Sequence, residues 1–119
     1  MADTFAAIAT PLGEGGVGIV RVSGPGSLNI MKVVFKECPD KVEPRHVYYG
    51  HALDASGNVI DEMICIYMRA PHTFTGEDVV EFQAHGSNVS LRLIVMSAIS
   101  AGARIADPGE FTKLAFLNG

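Results

Sequence analysis

Val59-Ile60-Asp61-Glu62-Met63-Ile64-Cys65-Ile66-Tyr67-Met68 decides the fold. Within it Met63, Cys65 and Tyr67 alternate with Ile64, Ile66 and Met68, so the pattern has the two-residue period of a strand. Both faces are apolar, which predicts a strand buried on both sides and central in its sheet. Working outward, residues 46–52 carry the β-favouring Val47, Tyr48 and Tyr49. Asp54-Ala55-Ser56-Gly57-Asn58 joins the two runs as a turn, with glycine available for a positive φ. After a loop over residues 69–76, residues 79–84 form another strand. The centre of the chain is a meander.

Further toward the N-terminus, residues 4–9 form a short apolar run ended by Thr10-Pro11, and a loop over residues 12–16 leads into a β-branched strand over residues 17–23. Gly24-Pro25-Gly26 breaks that strand. Ser27 is placed to cap a first helix with Leu28, Met31, Val34 and Phe35 on one face, stopped by Pro39-Asp40. Toward the C-terminus, Val89, Leu91, Leu93, Ile94, Val95, Met96, Ala98 and Ile99 make a second helix apolar nearly all round. Ser90, Ser97 and Ser100 share a narrow stripe of it, Ser87 or Asn88 caps its start, and Gly102 its end. A short run over residues 103–106 and then Pro108 lead to a last helix through Phe111, Leu114 and Ala115. The order β-β-α-β-β-β-α, with a short closing strand and helix, is α+β.

The chain has 119 residues, the length of one domain. Its 48% hydrophobic content and net charge of −4 exclude an intrinsically disordered chain. The 13 acidic and 9 basic residues are scattered, so there is no electrostatic footprint for nucleic acid. No apolar run reaches the roughly 18–20 residues of a membrane span. Met1-Ala2-Asp3-Thr4 lacks the basic start of a signal peptide. Cys38 and Cys65, 27 positions apart, read as thiols of a reducing cytoplasm. A compact cytoplasmic domain is expected.

Gly13-Glu14-Gly15-Gly16-Val17-Gly18 matches GxGxxG by letter. A dinucleotide site needs a helix N-terminus after the glycines, and here a strand follows. No P-loop occurs. His46, His51, His72 and His85 show no ligand spacing, so no metal site is expected, and no nucleophile or other catalytic residue is proposed. Phe74-Thr75-Gly76-Glu77-Asp78-Val79-Val80-Glu81-Phe82-Gln83-Ala84-His85-Gly86 carries the most chemistry. Glu77-Asp78 is solvated or caps a turn. Glu81 shares a face with Val79 and Gln83, opposite Val80 and Phe82, and so looks into solvent or into a cleft. Arg21 lies similarly between Val20 and Val22. On adjacent strands, Arg21 and Glu81 either pair or line a common pocket.

Four ordered blocks then carry a resemblance: Asp3-Thr4 with Ala7-Ile8-Ala9-Thr10-Pro11, Gly15-Gly16-Val17-Gly18-Ile19-Val20-Arg21-Val22-Ser23-Gly24, Phe74-Thr75-Gly76-Glu77-Asp78-Val79-Val80-Glu81 with His85-Gly86, and Pro108-Gly109-Glu110-Phe111 leading to Ala115-Phe116-Leu117-Asn118. Together they resemble the N-terminus of the bacterial tRNA-modification GTPases of the MnmE/TrmE family. The resemblance implies that residues 1–119 are a single folate-binding and dimerisation domain, a piece of a longer protein whose helical and GTP-binding domains are absent here. It implies a β2-α-β3-α half-unit of a folate-binding, aminomethyltransferase-like fold, completed by homodimerisation with exchanged first strands. The ligand would be 5-formyltetrahydrofolate or a related tetrahydrofolate derivative, contacted by Arg21 and Glu81, with a lysine just after Gly119 completing the set. The parent would hydrolyse GTP with potassium and magnesium. It would act with a flavoprotein of the MnmG/GidA type in carboxymethylaminomethyl modification of the tRNA wobble uridine, U34. This domain by itself is expected neither to catalyse nor to bind tRNA. Two rivals stand beside this reading: a dimerisation scaffold with a non-functional folate pocket, and half of a stand-alone aminomethyltransferase.

Overall fold

A computed structural model of the chain describes residues 3–10 and 16–118. Its elements are β1 (Phe5–Thr10), β2 (Gly18–Ser23), α1 (Ser27–Val34), β3 (Val47–Leu53), β4 (Val59–Met68), β5 (Val79–Ala84), α2 (Asn88–Ser100), β6 (Arg104–Ile105) and α3 (Glu110–Leu117). One six-stranded sheet runs β3-β4-β5-β2-β1-β6. Neighbours are antiparallel except β1 and β6, which pair in parallel. The α+β class and the element order agree with the sequence. Of the glycine-rich motif, residues 13–15 lie outside the described residues; Gly18 already belongs to β2, so a strand follows the glycines.

Period-two alternation sorts the strands into two faces. Ala6, Val20, Val22, Val80, Phe82, Ala84, Met63, Cys65 and Tyr67 point to one side, where Ile30, Met31 and Val34 of α1 and Leu91, Ile94 and Ala98 of α2 close over them. This is the core. β4 sits between β3 and β5, as its pattern predicts, but only one of its faces is fully buried. Both long-contact helices lie on the Met63 side, so Ile64, Ile66 and Met68 stay partly exposed, beside Val47 at 58% and Tyr49 at 63% exposure. Ser97 turns toward the core and is buried, away from the stripe expected for it with Ser90 and Ser100; its hydroxyl has no hydrogen-bond partner among the described residues.

Two helix boundaries also differ from the sequence expectation. Ser27 is the first residue of α1 and Gly26 the cap. The Ser27 hydroxyl instead faces the Gly24 carbonyl at 2.8 Å and the Asp78 carbonyl at 3.1 Å, tying the helix start to the approach of β5. At its other end α1 stops at Val34, well before Pro39. Phe35 is extended, buried and bridged to Ala52, because leaving the helix there lets the chain pair with β3. The second helix keeps its expected start: Ser87 Oγ accepts the Ser90 N–H at 3.0 Å.

β1 is paired on both sides within its own sheet, by β2 and β6. No helix among the described residues is long and apolar enough to cross a membrane.

Candidate functional site

Arg21 and Glu81 stand directly opposite each other in the β2–β5 ladder, in a row that crosses the face away from α1 and α2, from Ala7 through Arg21 and Glu81 to Ile66 and Val47. Period two puts both charges on this face because their neighbours Val20, Val22, Val80 and Phe82 are committed to the core. They form an ion pair. Arg21 Nη2 lies 2.7 Å from Glu81 Oε2 and Arg21 Nε donates to the same oxygen at 2.9 Å, with side chains only 20% and 16% exposed. Of the two arrangements open from sequence, pairing is the one present, and it borders a cavity as well.

Aromatic rings hold the arginine. Its guanidinium carbon lies 4.9 Å from the centroid of the Phe74 ring and 5.7 Å from that of Phe111, distances at which cation and ring attract. Beside it opens a cavity of about 390 Å³ whose walls include Ala7, Arg21, Phe74, Pro108, Gly109 and Phe111. Glu81 is not among its lining residues; it reaches the cavity only through Arg21.

α3 makes the far wall, and none of its residues is buried, so hydrophobic burial alone does not hold it. Phe111 meets Phe5 edge to face at 4.9 Å. Arg104 supplies the rest. Its guanidinium grips both carboxylate oxygens of Glu110, donates to Asp3 Oδ2 at 2.5 Å, and lies 5.2 Å from the Phe5 ring centroid. Hydrogen bonding from Arg104 is the main cause holding the Glu110 carboxyl below the usual carboxylate range, and the same contacts raise the arginine's own value. A carboxyl depressed in this way stabilises the fold at pH above its ordinary value, and that contribution is lost as the pH falls through its folded value. Accordingly Arg104→Gln should raise the Glu110 titration toward its ordinary midpoint, followed by its side-chain carboxyl carbon in an NMR pH series; an unmoved midpoint would contradict the assigned cause.

The loop over residues 69–78 covers the arginine from the other side. Thr75 is fully buried, its hydroxyl 2.7 Å from that of Ser23. Asp78 Oδ1 accepts the Ala70 N–H at 2.8 Å, so Asp78 caps this loop, as one of the two roles read for it. Glu77 is drawn in: burial raises its carboxyl above the ordinary value. His85 and Gly86 form the strand-to-helix corner, with the Gly86 N–H donated to Asp61 Oδ2 at 2.9 Å. The described residues contain no group of three His, Cys, Asp or Glu able to hold a metal ion.

Sequence reasoning brought out Arg21 and Glu81 and missed their surroundings. Phe111 reads from sequence as an ordinary apolar helix position, and Phe74 as a loop residue. Opposite charges at Arg104 and Glu110, flanking Pro108-Gly109, were the available signal that a turn is clamped there.

An α+β domain with a charged pair at the centre of the sheet face away from α1 and α2, beside an aromatic-walled cavity, is the class that these features define. Over residues 4–119 the chain matches the family described as GTP-binding protein TrmE N-terminus, and it belongs to that family. It is similar to the tRNA modification GTPase MnmE of Chloroflexus aurantiacus, 51% identical over 120 residues covering 100% of this chain and 26% of that protein. The protein of the same name from Chromohalobacter salexigens is 50% identical over 116 residues, covering 98% and 25%. That of Aquifex aeolicus is 47% identical over 119 residues, covering 100% and 26%. The chain thus spans about a quarter of the length of these relatives.

Proposed function

We propose that this domain binds a one-carbon tetrahydrofolate of the 5-formyl type at the Arg21–Glu81 site and serves as the dimerising, donor-holding part of a tRNA-modification GTPase. One observation carries the reading: a carboxylate and a guanidinium held side by side on the sheet face away from α1 and α2, next to a cavity with aromatic walls. A pterin's edge presents a ring N–H beside an exocyclic amino group, two parallel donors that one carboxylate accepts together. Both arginine contacts end on Oε2 of Glu81, which leaves the lone pairs of Oε1 for a pterin donor. Arg21 keeps further N–H groups for the carbonyl and carboxylate oxygens of the folate. The flat rings of Phe74 and Phe111 suit a flat heterocycle.

The partly exposed apolar row of Ile64, Ile66 and Met68 beside Val47 and Tyr49 supports a second copy of the chain as the cover of this face. In a full-length protein of this family, GTP with potassium and magnesium would act outside the part matched by this chain. An MnmG/GidA-type flavoprotein would share the chemistry at the wobble uridine, tRNA would be met by the whole complex, and all of this belongs to the cytoplasm. The scaffold reading keeps the dimer and removes the ligand.

Calorimetric titration with 5-formyltetrahydrofolate separates the two. The wild-type chain is expected to bind, and Glu81→Ala to bind about 10- to 150-fold more weakly, the equivalent of a charge-assisted contact of roughly 1.5–3 kcal/mol. Light scattering on the same samples should give twice the chain mass. A wild-type chain that gives no heat, or Glu81→Ala with unchanged affinity, rejects the folate site; a dimer without heat leaves the scaffold.

A further inference from the structure

We propose that Asn118 is a positioning residue for the Arg21–Glu81 site: its side-chain amide fixes the loop that carries Phe74 over the Arg21 guanidinium. Asn118 ends α3, and its backbone N–H is donated to Leu114 at 3.0 Å, so the residue is held by the last turn of that helix. Its Nδ2 donates to the Thr75 carbonyl at 2.6 Å. Thr75 follows Phe74 directly, and its buried hydroxyl, on the Ser23 hydroxyl, anchors the same residue to β2. Gly76 completes the seat. It has φ +83°, and a Cβ built on it would lie 2.6 Å from the Asn118 Cβ, so loop and helix end meet in van der Waals contact.

Both aromatic flanks of Arg21 are therefore set from one helix. Phe111 comes directly from the first turn of α3, and Phe74 is held through Asn118 and the Thr75 carbonyl. The carbonyl needs a donor. The isosteric Asn118→Asp keeps the packing on Gly76 and replaces that donor with an acceptor, whereas Asn118→Ala removes both. Loss of the donor leaves the carbonyl facing a negative charge, which releases the loop.

Three measurements on the whole chain test this, two of them independent of any ligand. Hydrogen exchange at the Gly76 and Glu77 amides, which are hydrogen-bonded within the loop, is expected to quicken at least about tenfold in both variants, with the Met63 and Cys65 amides of β4 unchanged. The Arg21 Nε–H proton resonance should lose the ring-current displacement that Phe74 imposes. Because the site's ligand rests on the folate reading, affinity for 5-formyltetrahydrofolate is the third readout, expected to fall several-fold in both variants. If Asn118→Asp matches the wild type in exchange and in the Arg21 resonance, the residue only fills space and the proposal is overturned. If exchange and resonance move as expected while no variant or wild-type chain binds folate, the positioning role holds and the folate reading is what fails.

Discussion

Phe82→Ala is expected to lose about 3–5 kcal/mol of stability, a large part of the 5–15 kcal/mol that holds a domain of this size together. The residue is wholly buried in the middle of β5, facing Val20 on β2 and Cys65 on β4 across the ladders, on the core side that α1 packs against. Truncation removes the ring's contacts and leaves a space that the sheet cannot close, because its backbone spacing is set by hydrogen bonds on both sides. Urea unfolding followed by circular dichroism measures the loss as a lower midpoint with an unchanged slope. Phe82→Leu, which refills much of the volume, should recover more than half of it. A Phe82→Ala midpoint close to wild type would mean that the helices do not seal this face. The neighbouring side chain answers differently: Glu81 points the opposite way, so Glu81→Ala should leave the core packing intact while changing the site.

Gly24→Ala is the second large effect, expected to cost about 3 kcal/mol or more. Gly24 has φ +131°, a conformation in which an L side chain is strained before any contact is counted. A Cβ there would also sit 2.4 Å from the Asp3 carbonyl oxygen and 2.6 Å from the Thr4 Cα, both backbone atoms with no rotamer to move. Three segments cross at this point. Gly24 donates its N–H to the Asp78 carbonyl at 2.9 Å, and its own carbonyl receives Ser27, so the start of β1, the end of β2 and the approach to β5 would shift together. Gly57→Ala is the control. Gly57 also has positive φ, at +86°, but nothing lies within 4 Å of its built Cβ, so only the conformational cost of about 1–2 kcal/mol applies. Equal losses in the two variants, measured by thermal unfolding, would rule out the backbone clash.

Much of the fold was legible because one signal, the side-chain period, is written locally. It placed the strands of the meander, set Glu81 on the face opposite Phe82, and made α2 a helix with its Ser87 cap. Where tertiary contacts choose between locally equal options, the sequence is silent. Met63 and Ile64 are both apolar, and which one is buried depends on the side that α1 and α2 take. Phe35 has the spacing of a helix face, yet pairing with Ala52 takes it out of the helix. The site divides in the same way. Arg21 and Glu81 stand out as charges inside apolar strands. Phe74, Phe111 and Asn118 come to them from far along the chain, through contacts such as Asn118 with Thr75 that no local pattern encodes.

The parallel pairing of β1 with β6 has a bearing on how the chain assembles during synthesis. Phe5 lies beside Arg104, and Ala6 beside Ile105, so the second partner of the first strand leaves the ribosome 99 residues after the strand itself. Until then β1 carries an open edge of unpaired amides and carbonyls, the kind of border along which nascent chains aggregate. Release from the exit tunnel of residues 104–105, two residues that bury almost nothing, is the event that seals it.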